Sequence, residues 1–550
     1  MGAAEKLSGN FIFNKSEESN TKEKIEKTFS EELVIGICAP IGTNKDGFIN
    51  SLIERLKEYH YECEIIKLSQ FIRDFKDKVS IDTESLSKGR TSNFRDKMEL
   101  ILTGDELRKT INTSILAELA IFNIHSKRYP DGDFNIKSDF DLNEIDQSIY
   151  ESKRKCYIID SIKNKEELAL FRTVYRELFY FFSLFTPLGE REEALRKCDL
   201  SPSEIDELIK VDAGSGFEHG QDVRNVFVKG DFFFRISENS NFNLIERIKR
   251  CLHLIFDTEV VTPTTHETAM YHAKSAAKNS ACLSRQVGAA VTDKLGHVLG
   301  VGWNDVPKFG GNLYASPNND FNEKSNLPDN RCINLTYDSN NKLTVGDGAC
   351  FNDIEKNLLS EELTDELVRI GIINPSNKEQ AYTLIRNSKV KGLIEYSRSV
   401  HAEMHAIILS SQMSGDKMKS GKLYCTTYPC HNCARHIVVS GITEVYYIEP
   451  YVKSLCMKLH SDSITETETE DGKVRILMFD GVSPNRYIKF FSIHNPRKGL
   501  DGKAIRNKEL TIAKPKTQLS LRDIPSLESQ AVHAIKKSGL YENQEKTLLN

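Results

Sequence analysis

Two short segments near residues 400 and 430 constrain this chain most, because together they hold three metal ligands and a carboxylate. His401-Ala402-Glu403 begins one apolar, helix-forming run, and Pro429-Cys430-His431-Asn432-Cys433 begins another. Cys430 and Cys433 are three positions apart, so they share one helical face. The positive end of a helix dipole favours the thiolates that bind zinc. One histidine and two thiolates make a three-ligand zinc site with an open fourth position, as catalytic zinc requires.

Glu403 is the carboxylate of the first segment, and it is free to carry protons because it is not needed as a ligand. The order His-x-Glu followed by Pro-Cys-x-x-Cys is identified as the signature of the zinc nucleobase deaminases. The sequence therefore predicts Glu403 as the catalytic residue, with His401, Cys430 and Cys433 as zinc ligands. The alternatives are a buried pair of free cysteines or a structural zinc. A structural zinc needs a fourth protein ligand, for which three histidines are close in sequence: His405, His431 and His436.

The length of 550 residues is too great for one hydrophobic core, so two or three domains are expected. A net charge of -5 gives no basic field that would favour a stable nucleic-acid partner. The sequence has no run of 18 apolar residues and its N-terminus is polar, so we expect neither a membrane span nor a secretory signal. Twelve cysteines without such a signal favour reduced thiols and a cytoplasmic location.

Buried strands alternate with amphipathic helices in the first half, which predicts a parallel α/β sheet. The strands are expected at 33–38, 63–68, 156–160, 180–185 and 232–236. The first strand leads through a glycine-containing loop into a helix, a layout that binds phosphate with backbone N–H groups. This predicts four low-ranking nucleotide-binding candidates, which are Gly36, Gly42, Thr43 and Lys45. The glycine spacing departs from the Walker A pattern, so a tight strand-to-helix turn is an equal alternative.

The second half has the strand and helix order of the cytidine deaminase fold around the two motif helices. A β-hairpin is expected at 287–304, and strands are expected at 423–427 and 445–448. About 90 residues separate the hairpin from His401. In this insert, 311–345 is expected to be a long loop and 353–394 to be helical. Cys332 and Cys350 lie in the insert, but they lack the paired spacing that would predict a second, structural zinc.

Several segments of the second half resemble deoxycytidylate deaminases. They are Ser284-Arg285-Gln286-Val287-Gly288-Ala289, Gly302-Trp303-Asn304 and Cys433-Ala434-Arg435-His436-Ile437. By that resemblance Asn304 contacts the deoxyribose and Arg285 the phosphate. The alternatives are a turn asparagine and a surface arginine. His405 is expected in the pocket wall.

Other segments resemble a two-domain antiphage family, in which a P-loop kinase-like domain precedes a zinc-dependent deoxycytidylate deaminase domain. They are 219–224, 230–233, Asn304 to Lys308, Glu449 to Leu455 and Gly481 to Tyr487. Lys453 and Arg486 are either contacts to further phosphates or solvated surface charges. The resemblance implies an N-terminal P-loop kinase-like parallel sheet domain and a C-terminal cytidine deaminase-like α/β/α domain.

The domain boundaries that follow are a flexible N-terminus at 1–30, a kinase-like domain at 31–245, a deaminase domain at 246–495 with an insert at about 311–395, and a tail at 496–550. Residues 461–472 are expected to form an acidic loop, and 525–537 a short helix. The resemblance implies zinc-dependent deamination of dCTP and/or dCMP, and depletion of the nucleotide pool in antiphage defence. It also implies a nucleotide effector at the first domain and a homo-oligomer.

Three alternative functions remain open from the sequence. A deaminase that edits nucleic acid would need a basic groove with interleaved aromatics. Trp303 and Tyr446-Tyr447 are present, but no basic cluster lies beside them in the sequence. The others are a nucleotide kinase with a non-catalytic deaminase domain and a binding or sensor protein without enzymatic activity.

Overall fold

The structure is a computed structural model that describes residues 26, 29–81, 89–128, 154–214, 221–237, 243–316, 329–340, 342–451, 454–505, 509–520 and 523–540. Most of the predicted flexible N-terminus, the segment 219–220 and Lys453 lie outside these residues. The described chain forms two six-stranded sheets and one two-stranded sheet, with helices packed around them. This confirms the predicted mixed α/β class. Among the described helices, none combines the length and apolarity needed to cross a bilayer.

The first half contains a sheet in which five parallel strands follow the order β2-β3-β1-β4-β5. The strands are β1 Leu33–Cys38, β2 Glu62–Lys67, β3 Lys155–Asp160, β4 Phe179–Phe185 and β5 Phe232–Arg235. All five lie close to their predicted positions. The central strands β1 and β4 are almost wholly buried, which explains their continuous apolar sequences.

Nine helices accompany this sheet in the described part of the first half. They are α1 Lys45–Glu58, α2 Leu68–Asp74, α3 Ser92–Thr110, α4 Ile115–Arg128, α5 Lys165–Tyr175, α6 Leu188–Arg196, α7 Pro202–Asp212, α8 Val223–Phe227 and α9 Leu244–Phe256.

The second half contains a sheet in the order β12-β13-β11-β10-β6-β7 and a separate β8-β9 pair. The strands of this half are β6 Gly288–Thr292, β7 Val298–Trp303, β8 Leu335–Tyr337, β9 Leu343–Val345, β10 Lys422–Thr427, β11 Glu444–Glu449, β12 Ile464–Thr465, β13 Val474–Met478 and β14 Gly481–Val482. The helices are α10 Thr265–Ala276, α11 Phe351–Arg369, α12 Lys378–Asn387, α13 Ala402–Met418, α14 His431–Val439, α15 Cys456–His460, α16 Tyr487–Phe491 and α17 Asp523–Lys537.

Close packing of glycines fixes helix α13, which carries the first motif, against the β6-β7 hairpin. A Cβ atom on Gly302 would lie 2.3 Å from the backbone nitrogen of Ala406 in α13. On the other face of the hairpin, a Cβ on Gly288 would lie 1.9 Å from the carbonyl oxygen of Ala273 in α10. Both distances are far below van der Waals contact, so only glycine permits these approaches. The hairpin is therefore held between α10 and α13.

The structure differs from the sequence-based expectations in two loops. The expected loop at 311–345 contains the β8-β9 pair, and the expected acidic loop at 461–472 contains strand β12. Ile464 and Thr465 of β12 are both buried and pair in parallel with β13. Strands of two or three residues are too short for an alternating pattern, so periodicity does not reveal them. The expected helices at 353–394 and 525–537 are confirmed as α11, α12 and α17.

The two halves share a sheet, which the sequence does not predict. Strand β14, from the second half, pairs antiparallel with β5 and becomes the sixth strand of the first sheet. The buried carboxylate of Glu267 accepts a hydrogen bond from the Val482 backbone nitrogen at 2.9 Å. It also forms a two-point ion pair with Arg250 at 2.8 and 2.7 Å. The pairing of β14 with β5 and the buried ion pair of Glu267 therefore connect the second half to the first.

Arg486 belongs to the same contact, and its side chain faces the first half. Its Nε donates to the Asp231 carboxylate at 2.7 Å, and Asp231 is only 2% exposed. Asp231 also accepts hydrogen bonds from Arg172 and from the Phe181 backbone nitrogen. Arg486 is thus neither a solvated surface charge nor free for a phosphate in this arrangement.

We expect Arg486→Ala to lower the free energy of unfolding by about 2 kcal/mol, because a buried carboxylate loses its shortest charged hydrogen bond. The loss should stay below the roughly 3–5 kcal/mol of a fully buried pair, since Asp231 keeps two donors. Equilibrium unfolding in urea measures it, with the exposed Arg497→Ala as the matched control. Equal unfolding curves for the two variants would contradict the bridging role.

Candidate metal centre and substrate cavity

His401, Cys430 and Cys433 meet where two helices begin on the same side of the second sheet. His401 is the residue before α13, Cys430 is the residue before α14, and Cys433 lies in the first turn of α14. The Nδ1 atom of His401 is 3.4 Å from the sulfur of Cys430 and 3.3 Å from that of Cys433. The parallel strands β10 and β11 flank α14, so the sheet positions the start of that helix.

The charges of these side chains are strongly coupled. A hydrogen bond from Cys433 lowers the pKa of Cys430 to about 4, and the imidazole of His401 acts in the same direction although burial opposes it. Burial lowers the pKa of His401, but the bond to Cys430 and the charge of Glu403 outweigh it and raise the pKa to about 9. Burial raises the pKa of Cys433 well above its usual range. The contacts among these side chains thus favour the thiolate form of Cys430, which is the form in which a thiol binds a metal.

The donor set fits a zinc ion. The ligand atoms of His401, Cys430 and Cys433 all lie within 4.8 Å of one another, and in the described part of the chain no other group of three His, Cys, Asp or Glu side chains does so. A nitrogen with two sulfurs is a common zinc ligand set. None of the nearby histidines joins them: His405 Nε2 contacts Asn312, and His436 Nδ1 contacts the Asn432 carbonyl. Within the described residues, the site thus has three protein ligands.

Glu403 is the second residue of the motif helix α13, and the residue is 4% exposed. Burial raises its pKa, while the charge of His401 opposes this effect. Glu403, His401 and Cys430 line the same cavity. A buried carboxyl beside a metal site and facing a cavity is positioned to exchange protons with a bound molecule.

The cavity next to this cluster has a volume of about 270 Å³ and is lined mostly by apolar atoms. This is near the lower end of the roughly 300–1,000 Å³ typical of small-molecule sites. Besides His401 and Cys430, the lining includes six residues of interest: Arg285, Asn304, Arg398, Glu403, Tyr428 and Tyr451. The structure thus brings Glu403, Asn304, Arg285 and two of the three predicted metal ligands to the wall of one cavity.

Asn304 and Arg285 both line the cavity, although each already has protein partners. The Asn304 side chain accepts a hydrogen bond from the Val287 nitrogen at 2.7 Å and donates to the Arg285 carbonyl at 2.9 Å. The guanidinium of Arg285 pairs with Glu449 at 2.8 Å and is 53% exposed. Asn304 therefore braces the segment that carries Arg285, and one amide N–H of its side chain is left for another partner. Their contacts with a substrate stay predictions.

His405 does not take the position expected from its spacing. Its Nδ1 accepts a hydrogen bond from the Trp303 backbone nitrogen at 3.2 Å, and its ring packs edge-on against the Trp303 indole. Its Nε2 lies 3.0 Å from Asn312. The ring therefore joins the hairpin to the start of the insert, and it is not part of the cavity lining.

Sequence reasoning missed several cavity residues. Tyr428 precedes Cys430 by two residues, and Arg398 precedes His401 by three, so their closeness to the motifs in the sequence was an available signal. Cys282, Cys332 and Cys350 also line the cavity, as does Phe351. Three of these come from the insert, which only tertiary folding brings to the site. The three thiols do not form a compact ligand group, so a second zinc gains no support among the described residues.

Three of the nucleotide-binding candidates of the first half, Gly42, Thr43 and Lys45, follow the carboxyl end of β1, and the fourth, Gly36, lies inside that strand. Lys45 begins α1 and donates to Asp160 at 2.6 Å and to Ser161 at 3.1 Å. Gly36 lies within β1, where a Cβ would come 2.6 Å from the Phe179 ring, so packing requires glycine there. Gly42 has φ +85 in the loop before α1. The lysine and the loop thus face a common edge of the sheet, and nucleotide binding there stays a prediction.

Protein side chains already bond to this loop. The Ile41 backbone nitrogen donates to the buried Asp212 carboxylate at 2.8 Å, and Asp212 also pairs with Lys163 at 2.6 Å. The Arg191 side chain donates to the Ile41 carbonyl at 2.7 Å. The buried hydroxyl of Thr43 has no partner among the described residues. A carboxylate thus occupies one loop amide that the sequence pattern would assign to a phosphate.

Part of the second half is similar to known proteins. Residues 263–449 match the family model of the cytidine and deoxycytidylate deaminase zinc-binding region. ComE operon protein 2 of Bacillus subtilis (strain 168) is 42% identical over 55 residues, which are 10% of this chain and 29% of that protein. A probable deoxycytidylate deaminase of Drosophila melanogaster is 34% identical over 89 residues, which are 16% of this chain and 36% of that protein.

Among solved structures, the apo crystal structure of dCMP deaminase from the cyanophage S-TIM5 aligns with 17% identity and a TM-score of 0.21. The alignment covers 40% of this chain and 100% of that chain. The stretches shared with the two relatives by sequence span about a third of their lengths. The family match includes the hairpin and all four motif residues, so the second half contains a region of this deaminase type.

Proposed function

We propose that this chain hydrolyses the amino group of deoxycytidine nucleotides, dCTP and/or dCMP, to give deoxyuridine nucleotides and ammonia. The observation that carries the proposal is the convergence of His401, Cys430 and Cys433 beside the buried carboxylate of Glu403, at one end of a cavity. The match of residues 263–449 to the deaminase family supports the same chemistry.

In this proposal His401, Cys430 and Cys433 hold zinc, which when bound activates water for attack on C4 of the cytosine ring. Glu403 moves the protons. Its carboxylate accepts a proton from the attacking water, delivers it to N3 of the ring and assists the departure of ammonia. The apolar walls of the cavity exclude bulk water and so strengthen the polar contacts that orient the ring. Asn304 contacts the deoxyribose and Arg285 a phosphate, as the family resemblance implies.

The direct test is purified protein with a panel of dCMP, dCTP, deoxycytidine and single-stranded DNA, in which ammonia release and the uracil product are both measured. The proposal expects turnover of the free nucleotides. Activity confined to the polymer would contradict it and favour a nucleic-acid editing enzyme. Phosphate transfer from ATP without ammonia release would favour a kinase. Bound zinc with no turnover of any cytosine compound would favour a sensor protein.

The first half is proposed to bind a regulatory nucleotide near Lys45. Support comes from a chain of contacts that leads from its sheet to the cavity. Arg235 at the end of β5 pairs with Glu468 at 2.8 Å, and the Tyr428 hydroxyl in the cavity wall donates to Glu466 of the same loop at 2.8 Å. These contacts join the end of β5 to the cavity wall, and coupling between a nucleotide near Lys45 and the deaminase site is part of the proposal.

We expect Lys45→Ala to weaken nucleotide binding to the first half about tenfold or more, because a charged donor to phosphate is lost. Equilibrium titration with ATP and with dTTP measures this, and the exposed Lys57→Ala on the same helix is the control. Equal affinities for both variants would argue that the loop is only a strand-to-helix turn. A homo-oligomer, a cytoplasmic location and a role in depleting nucleotide pools during phage infection complete the proposal.

A further inference from the structure

Among the described residues, the guanidinium of Arg398 in the cavity wall has no anionic partner. Arg398 lies three residues before His401, and no carboxylate in the described chain comes within the 4.0 Å of an ion pair. Its Nη2 donates to the Asn330 carbonyl at 3.2 Å. Its Nη1 is shielded from water and has no hydrogen-bond partner in that part of the chain. The side chain thus carries a full positive charge and an unused donor.

An unbonded donor on a charged group is costly when it is shielded from water, so such a donor calls for an explanation. An anionic ligand in the cavity, which Arg398 lines, would offset the charge. The other arginine in the cavity lining is different: Arg285 pairs with Glu449 at 2.8 Å and its side chain is 53% exposed. Of the two arginines, only Arg398 therefore lacks a carboxylate partner within the described residues, so it is the stronger candidate to bind an anion.

The position of Arg398 suits the phosphate end of a nucleotide. Three residues of extended chain reach at most about 11 Å, which bounds the separation of Arg398 from His401. A cytosine ring beside Glu403 would place its 5′-phosphate a comparable distance away. Ser397 and Ser399, on either side of Arg398, also line the cavity and carry hydroxyl donors. Cations and hydroxyls together are typical phosphate contacts.

The insert holds this guanidinium in a fixed orientation. The Phe351 ring at the start of α11 lies under it, with 5.2 Å between the guanidinium carbon and the ring centroid. The Asn330 carbonyl holds its Nη2 from another part of the insert. A planar fork that is stacked and tethered loses little freedom when it binds an anion, so it is pre-organised for phosphate. This gives the insert a role that its length alone does not reveal.

We propose that Arg398 binds the 5′-phosphate of the substrate and makes the site select nucleotides over nucleosides. The inference rests on the proposed deaminase function and names the residue that sets its substrate class. Arg398 is a specificity residue here, because it contacts the phosphate end and not the reacting C4 atom.

The test compares dCMP with deoxycytidine, which lacks the phosphate, in wild-type protein and in Arg398→Gln. We expect the KM for dCMP to rise about 10- to 100-fold with kcat little changed, since a charge-assisted contact to phosphate is lost. The kcat/KM for deoxycytidine should stay within about twofold, because that substrate makes no such contact. Arg398→Lys should give an intermediate KM, since it keeps the charge but not the fork.

A binding measurement separates this inference from the deaminase function. Calorimetric titration should show that wild-type protein binds dUMP more tightly than deoxyuridine, and that Arg398→Gln removes most of the difference, with the remainder due to Arg285. Arg386→Gln is the matched control, because Arg386 joins α11 to α12 through Asp353 and Asn357 without lining the cavity. Equal losses for dCMP and deoxycytidine, or the same loss of discrimination in Arg386→Gln, would overturn the role of Arg398. Absence of turnover in wild-type protein with dUMP discrimination intact would overturn only the deaminase proposal.

Discussion

Replacing Glu403 by glutamine is expected to lower the kcat for deamination by about 10²- to 10⁴-fold, because that is the typical contribution of proton transfer by a positioned side chain. Glutamine keeps the size of the side chain and fits the same buried position, but it cannot accept a proton from water or deliver one to N3. KM should change little, since the amide still fills the wall of the cavity. Steady-state ammonia release from dCMP, with single-turnover product formation, measures both quantities.

The metal content separates this effect from damage to the site. Glu403 is not one of the three converging ligands, so Glu403→Gln should keep the zinc stoichiometry of the wild type. Asp416→Asn is the matched control, because it makes the same chemical change at an exposed position on the same helix, α13. If the Glu403→Gln variant binds zinc and is active, Glu403 does not take part in the reaction. If the variant is inactive and has lost zinc, Glu403 has a structural role instead.

The metal cluster was predictable because its information is local. Their spacing places Cys430 and Cys433 on one helical face, and two thiols in this arrangement beside a histidine favour a metal site over other functions. The distance in sequence between His401 and Cys430 is bridged by one helix and one strand of the predicted order. The long buried strands were equally predictable, because apolar runs such as β1 and β4 need burial on both faces. Strands β12, β13 and β14 were not predicted.

The residues that sequence reasoning missed depend on contacts between distant segments. Phe351 and Asn330 reach Arg398 only after the insert folds over the cavity, and no periodic pattern records that fold. Strand β14 has two residues, and its pairing with β5 is decided by partners such as Glu267 and Asp231. In the loop before α1, a local sequence pattern suggested a function, but contacts with a distant segment compete with it. Its glycine suggests a phosphate cradle, but Asp212, 171 positions from Ile41, already bonds to its amide.

Replacing Cys433 by serine is expected to reduce bound zinc to well below one ion per chain and to abolish deamination. A serine hydroxyl stays protonated near neutral pH, whereas zinc takes a deprotonated ligand at this position. Cys433 is fully buried, so serine fits the space but removes the sulfur ligand. The remaining ligands, His401 and Cys430, are too few for a tight site. Metal analysis of the purified variant and a coupled ammonia assay measure the two losses.

The free energy of unfolding should fall when zinc is lost, because zinc binds the folded site and stabilises the folded state. At a free zinc concentration about 1,000 times its Kd, that contribution is about 4 kcal/mol. Adding a chelator should therefore lower the Tm of the wild type but leave Cys433→Ser unchanged. Cys198→Ser is the control, since Cys198 is an exposed thiol in the first half and should keep zinc, activity and the chelator response. One zinc ion per chain in Cys433→Ser would exclude Cys433 as a ligand. A wild-type Tm that does not change when the chelator is added would mean that the metal contributes little to the stability of the fold.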